Sequence, residues 1–237
     1  MSLYLAKRPR LGVYLNRINR FVVSVMVDGQ EELAHLANSG RLQRVLKPGQ
    51  NCWLVPQAGK HRKTRYDLLA VETEQEPIVV DARLPNDIIA SAWEAGLIEE
   101  LSSFRQMQRE YRSGSSRFDF AFWSENAEHP CLVEVKSAAD VSGELAFFPD
   151  APTKRGGKHL VELLAAAQAQ QGAMVILLAQ MEWARGVVLN AAIDPELVTT
   201  ARQAQMEGVQ FLAYTIKLQL PEAIHLGKEI PVLFDIA

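Results

Sequence analysis

Residues 116–137, SRFDFAFWSENAEHPCLVEVKS, decide how this chain is read. SRFDFAFW (116–123) and CLVEVKS (131–137) show the period-two alternation of strands, joined by the polar turn SENAEHP. Successive strand side chains point to opposite faces, so Glu134 and Lys136 share one face and Val133 and Val135 the other. Asp119 faces away from Phe118 and Phe120 on the preceding run. If the two runs pair through their turn, two carboxylates and an ammonium converge. Hard divalent cations such as Mg2+ take oxygen ligands, and carboxylates held together are a usual protein contribution. A metal so held acidifies water and offsets charge on a phosphate under attack, while a nearby Lys can orient the nucleophile or neutralise the transition state. The Glu-x-Lys triplet alone is weak, arising about once by chance in a chain of this size. Its alternative is a half-exposed strand whose Glu and Lys face water. Two features strengthen the metal reading: Asp119 sits in an otherwise aromatic strand, and Glu110 ends a helix expected to lead into it.

Around this centre the pattern is α/β. Upstream, DIIASAWEAG (87–96) and LIEELSSFRQMQR (97–109) read as helices with Gly96 as a stop between them. Downstream come a Pro/Gly loop, a helix over 159–171 closed by Gly172, and the continuous apolar strand AMVILLA (173–179), which suggests a sheet covered on both faces. Helix, strand and strand follow as PELVTTARQAQMEG, VQFLAYTIKL and PVLFDI. Before residue 85 the elements are shorter. FVVSVMV (21–27) turns at Asp28-Gly29 into EELAHLA (31–37), a helical turn follows over 40–46, and strand-like runs occupy 51–56, 66–72 and 77–84. This suits a small OB-like barrel, with a different small barrel as the alternative. The expected organisation is two domains: residues 1–84 an all-β OB-like barrel, and 85–237 an α/β domain with a mixed sheet flanked by helices.

Composition allows this. The chain of 237 residues is 48% hydrophobic and 22% charged, with a formal net charge of -3 that is unevenly spread. Residues 1–85 carry 13 Lys or Arg against 8 Asp or Glu, and the remainder 12 against 20, so a basic module precedes an acidic one. No apolar run approaches the roughly 20 residues of a membrane span, and the start lacks a secretory apolar stretch, so no membrane partner and a cytoplasmic location are expected. Cys52 and Cys131 form no CxxC pair, which argues against a disulfide framework or zinc ribbon and for buried strand positions. The five histidines show no HExxH spacing, and no GxSxG elbow points to an esterase.

The Asp-x14-Glu-Val-Lys arrangement is similar to that of the PD-(D/E)xK nuclease superfamily, whose core runs helix, three strands, helix, strand. The resemblance extends further. RINRFVV, AHLANSGR, PGQNCWL, RKTRYDL, RLPN, SRFDF, EVKS, FPDAPTKRGGKHL and IDP, in this order, resemble the sugar fermentation stimulation protein A family across nearly the whole chain. The resemblance implies an OB-like N-terminal domain, a PD-(D/E)xK nuclease-like C-terminal domain, and DNA binding with little sequence preference. It places the nuclease pattern on Asp119, Glu134 and Lys136, with Glu110 as the helix carboxylate and Gln180 as a weaker candidate. Asp119, Glu134 and Glu110 would then ligate Mg2+ or Mn2+ for phosphodiester hydrolysis. The alternative it carries is a non-catalytic DNA-binding regulator of sugar (maltose) metabolism on an inherited nuclease fold. NSGR, EVKSAAD and Leu189 depart from the family's common NTGR, Thr-Leu and Pro, which leaves open the shape of the substrate path.

Basic residues supply candidate phosphate contacts. Lys154, Arg155, Lys158 and His159 stand at a helix start, where cations oppose the macrodipole unless an anion binds. The alternative there is pairing with Asp150, Glu162 or the acidic cluster. In the N-terminal module the candidates are Arg17, Arg20, Arg41, Arg44 and the loop GKHRKTR, with Lys60, Arg62, Lys63 and Arg65. Arg41 has a structural role as its alternative. Trp53 and Tyr66 are the nearby aromatics, as stacking platforms or as core.

Overall fold

The structure, a computed structural model, describes residues 3–4, 7–59 and 62–234. The first seven strands are β1 (Leu3–Tyr4), β2 (Arg10–Asn19), β3 (Val22–Val27), β4 (Gln30–His35), β5 (Asn51–Pro56), β6 (Tyr66–Val71) and β7 (Ile78–Val79). Alternate residues of these runs, among them Val23, Val25, Ala34, Leu36, Cys52 and Leu54, are fully buried and give the strands a common inner face. β2 pairs with β3 and β5, β3 with β4, and β5 with β6; a parallel contact of Ala34 with Tyr66 closes the ring between β4 and β6. This is the closed five-strand barrel of an OB domain. Asp28 and Gly29, both at positive φ, make the hairpin turn expected of them. β2 is absent from the strands read in the sequence because register shifts beside Tyr14 and Arg17 break its alternation. Over 40–46 only one turn forms, Leu46 N–H donating to the Leu42 carbonyl.

The C-terminal region contains α1 (Leu84–Glu94), a 3-10 turn (Glu99–Leu101), β8 (Phe104–Ser113), β9 (Ser116–Ser124), β10 (Cys131–Ala138), β11 (Asp140–Ser142) and β12 (Leu145–Phe148). It continues through α2 (Lys154–Gln168), β13 (Ala173–Ala179), β14 (Gly186–Leu189), α3 (Pro195–Met206), β15 (Gln210–Gln219), β16 (Ala223–Glu229) and β17 (Val232–Leu233). Its seven-stranded mixed sheet has the order β1-β16-β15-β13-β10-β9-β8, with β10, β13 and β15 parallel. Every residue of β13 is buried, as a central strand covered on both faces requires. Ile88 and Ile89 of α1 join the core on one face; Leu163 of α2 and Leu197 of α3 join the core on the other. Apart from the 3-10 turn and the short strands β11 and β12, which pair in a separate sheet, the order α1, β8, β9, β10, α2, β13 is helix, three strands, helix, strand.

The strand expected over 77–84 is only Ile78–Val79, since α1 begins at Leu84, and β11, β12, β14 and β16 are not among the expected strands. Three further elements differ from expectation. The helix expected over 97–109 is the 3-10 turn followed by β8, because pairing with β9 overrides the helical propensity of its Gln, Arg and Met residues. Its many exposed polar side chains suit the edge of a sheet. α2 begins at Lys154 rather than at residue 159, because the Thr153 hydroxyl accepts from Gly156 N–H and starts the helix there. The last expected strand shrinks to β17, and Asp235 and Ile236 of that run lie outside the described residues.

The barrel and the α/β region share one core: Tyr14, Val25 and Leu54 belong to the same apolar cluster as Phe118, Leu132 and Leu163. Polar contacts cross the same boundary, with Leu42 N–H donating to Asp150 Oδ2 at 3.1 Å and Val79 N–H to the Gln180 carbonyl at 2.9 Å. A Cβ at Gly40 would stand 2.3 Å from Asp150 Oδ2, so the glycine permits this approach. β1 lies outside the barrel that follows it and pairs instead with β16 of the large sheet. Because the core is shared, urea unfolding is expected to be a single transition. Asp150→Ala, which leaves Leu42 N–H without its acceptor, should lower stability by about 1–3 kcal/mol. Two resolved transitions in the wild type would contradict the shared core.

Candidate metal and nucleic-acid site

The β9–β10 ladder pairs Phe122 with Cys131, Ala121 with Leu132 and Phe120 with Val133, and stops there. Beyond that point the Asp119 carboxylate takes over the backbone: Oδ2 accepts from Val135 N–H at 2.8 Å. Its Oδ1 accepts from the Asn86 side-chain amide at 2.7 Å, which ties it to the first turn of α1. One residue after the last ladder pair, Glu134 is 4% exposed. Its Oε1 accepts from the Lys136 ammonium and from the buried His159 ring of α2, while Oε2 is buried without a hydrogen-bond partner among the described residues.

These surroundings shift the two carboxyls in opposite directions. Burial, then the Glu134 charge, raise the Asp119 pKa above its ordinary value, against hydrogen bonds from Val135 and Asn86. Burial also pushes Glu134 upward, but the bonds and charges of His159 and Lys136 outweigh it and hold Glu134 below its ordinary value. The donor set is two hard carboxylates, one with an oxygen left over. Among the described residues no group of three or more His, Cys, Asp or Glu side chains forms a cation cage. This set fits an ion held through one or two carboxylates that keeps its other positions for water and phosphate, as Mg2+ does.

The other candidates separate. Glu110 lies on the edge strand β8 rather than at the end of a helix, at φ 54°, and its carboxylate pairs with Arg117 at 2.6 Å. Gln180 is buried, with its amide donating to the Leu178 carbonyl rather than to Asp119 or Glu134. His159, expected as a phosphate contact, is 4% exposed and packs on Phe118 behind Glu134. Arg17 donates to the backbone carbonyls of Asn19, Arg20, Asn38, Gly40 and Arg41, so its charge is spent on loop structure. Arg62 pairs with Asp67, and Arg65 with Glu32. Lys158 donates to the Ser115 carbonyl and faces Glu162. Arg20, Arg41, Lys63, Lys154 and Arg155 are exposed, and Lys60 lies outside the described residues. Tyr66 is buried and Trp53 donates to Glu72, so both serve the barrel. Asn86 is the site residue that sequence reasoning missed; its only signal was the RLPN motif at a helix start.

A family model described as the sugar fermentation stimulation protein RE domain matches residues 83–222, and one described as the SfsA N-terminal OB domain matches residues 15–80. This chain belongs to the sugar fermentation stimulation protein family. A sugar fermentation stimulation protein homolog of Methanothermobacter thermautotrophicus is 37% identical over 224 residues, covering 94% of this chain and 92% of its own length. One of Moorella thermoacetica is 40% identical over 202 residues, covering 85% of this chain and 87% of its own. The structure of Pyrococcus furiosus SfsA in complex with Ca2+ superposes with a TM-score of 0.88 at 30% identity, covering 98% of this chain and 99% of that one. Among the described residues no helix is long and apolar enough to cross a membrane.

The opposed shifts can be measured in metal-free protein. Carbon-detected carboxyl titration in EDTA should find Asp119 ionising above 3.8 and Glu134 below 4.5. The linked stabilities have opposite signs. The Glu134 contribution is present above its ordinary value and lost as pH falls through the lower folded one. Ionised Asp119 costs stability, and that cost is relieved as pH falls through its raised value. An Asp119 value at or below 3.8, or a Glu134 value at or above 4.5, would contradict the assignment.

Proposed function

We propose that this protein is a cytoplasmic DNA-binding protein with little sequence preference, in which Asp119 and Glu134 hold Mg2+ or Mn2+ and phosphodiesters are hydrolysed. The observation that carries the reading is Glu134 Oε2, a buried carboxylate oxygen without a partner, next to a second carboxylate and two residues from Lys136. A cation there would supply the partner that Oε2 lacks, and when bound it polarises a phosphate and acidifies water. The Pyrococcus furiosus relative was solved in complex with Ca2+, which supports divalent-cation binding here. Asn86 and Val135 N–H keep Asp119 aimed, and His159 keeps Glu134 in place when Lys136 turns from it toward a phosphate oxygen. Exposed Arg20, Arg41, Lys63, Lys154 and Arg155 supply phosphate contacts, which carry no sequence information.

A second reading, a non-catalytic DNA-binding regulator of sugar (maltose) metabolism, draws on the family name and on one observation: the Lys136 ammonium is already bound to Glu134.

Calorimetric titration with Mn2+ should show binding to wild type and none to Asp119→Ala/Glu134→Ala; equal affinity would refute the metal site. Incubation of single- and double-stranded DNA with Mg2+, Mn2+ or EDTA then tests catalysis. Lys136→Met keeps much of the stem and deletes the charge, so it should slow cleavage by about 100-fold while changing DNA affinity little. Asp119→Ala controls for contaminating nuclease. A wild type that binds metal and DNA yet cuts nothing under either ion would establish the regulator reading instead.

A further inference from the structure

The Arg17 guanidinium, bonded to the carbonyls of Arg20 at 2.7 Å and Arg41 at 2.7 Å, staples the β2–β3 turn to the loop after β4. That staple shapes one wall of a cleft of about 250 Å3 between the barrel and the α/β region. Arg20 lines the cleft, and exposed Arg41 stands between Gly40 and Leu42, which also line it. The opposite wall ends at Thr153, and the next two residues, Lys154 and Arg155, are exposed in a first turn of α2 that holds no acidic residue. Both rims therefore carry exposed positive charge, with Arg20 also over the Phe21 ring at 5.3 Å. The acids inside are already engaged: Asp150 accepts from Leu42 N–H, and Asp140 faces Arg44 at 3.6 Å.

The floor has the other feature that nucleic acid recognises. Phe147 is half-buried in it, with the Arg44 guanidinium over its ring at 5.3 Å from the centroid, and a base would stack against this ring and guanidinium together. Phe148 lines both this cleft and the cavity that holds Glu134, Lys136 and His159. Ser137, next after Lys136, lines the cleft with a buried hydroxyl that has no partner.

We propose that this cleft seats single-stranded DNA, with phosphates on the two basic rims and a base against the Phe147 ring, leading the backbone toward Glu134 and Lys136. A single strand can offer a base face to an aromatic side chain, whereas a duplex keeps its bases stacked on one another. The inference rests on the DNA-binding reading above and adds strandedness and path to it.

The test is fluorescence anisotropy in EDTA with labelled oligo(dT) and with a duplex of similar length, on variants whose thermal melts match wild type. Each phosphate contact on a single strand contributes about 0.7 to the slope of log affinity against log salt, so Arg41→Ala/Lys154→Ala/Arg155→Ala should flatten it by about 2. Phe147→Leu keeps apolar volume without the ring and should weaken oligo(dT) binding by about tenfold. Lys228→Ala, an exposed lysine of β16 outside the cleft lining, should leave oligo(dT) binding and any preference of wild type for the single strand intact. Cleft variants that bind oligo(dT) as wild type does, or a wild type that prefers the duplex, would overturn the cleft and leave DNA binding standing. A wild type that binds neither probe would overturn both.

Discussion

At Phe120 and Val133 two strands stop pairing, and the N–H of Val135 finds its acceptor in the Asp119 side chain instead of in a neighbouring backbone. A buried backbone donor must be satisfied, so this substitution holds Asp119 inward against the cost of burying a carboxylate. The splayed strands open the sheet where Glu134 and Lys136 project. Asn86 closes the arrangement from α1 on one side, and His159 from α2 on the other. Each helix therefore places one polar side chain on one carboxylate, and the pair depends on both layers of the domain.

The same economy runs through the charged groups of the barrel. A raw excess of Lys and Arg before residue 86 suggested a surface made for phosphate, yet much of that charge is spent internally. Arg62 and Arg83 converge on the buried Asp67, Arg65 meets Glu32, and Arg17 serves five carbonyls. Arg83 also grips Asp81 at the entry to α1, so the hub at Asp67 fastens the barrel to the start of the helix that bears Asn86. What is left exposed is a smaller set, and part of it gathers on the cleft rims rather than across the barrel.

Much of the fold was legible along the chain. Alternation in 116–123 and 131–137, the unbroken apolar run at 173–179 and the Asp28-Gly29 turn are local patterns that determine strands and a hairpin by themselves. The conjunction of Asp119, Glu134 and Lys136 followed from period-two geometry once those strands were taken to pair. Other elements did not follow, because their outcome is a competition. Residues 104–113 have helix-forming side chains, but a free β9 edge offered hydrogen bonds that local propensity could not anticipate. Glu110 left the acidic cluster with that change of element and paired with Arg117.

The sequence by itself determined the strands at 116–123, 131–137 and 173–179, the family motifs and the two carboxylates with their lysine. Tertiary structure alone decided which charges are free. A guanidinium or imidazole looks the same in a sequence whether it meets water or a partner, and its partner is often far along the chain: His159 and Glu134 are 25 residues apart, Arg65 and Glu32 are 33, and Asn86 and Asp119 are 33. Burial raises the cost of an unpaired charge, so packing dictates these pairings, and packing exists only once the layers have come together.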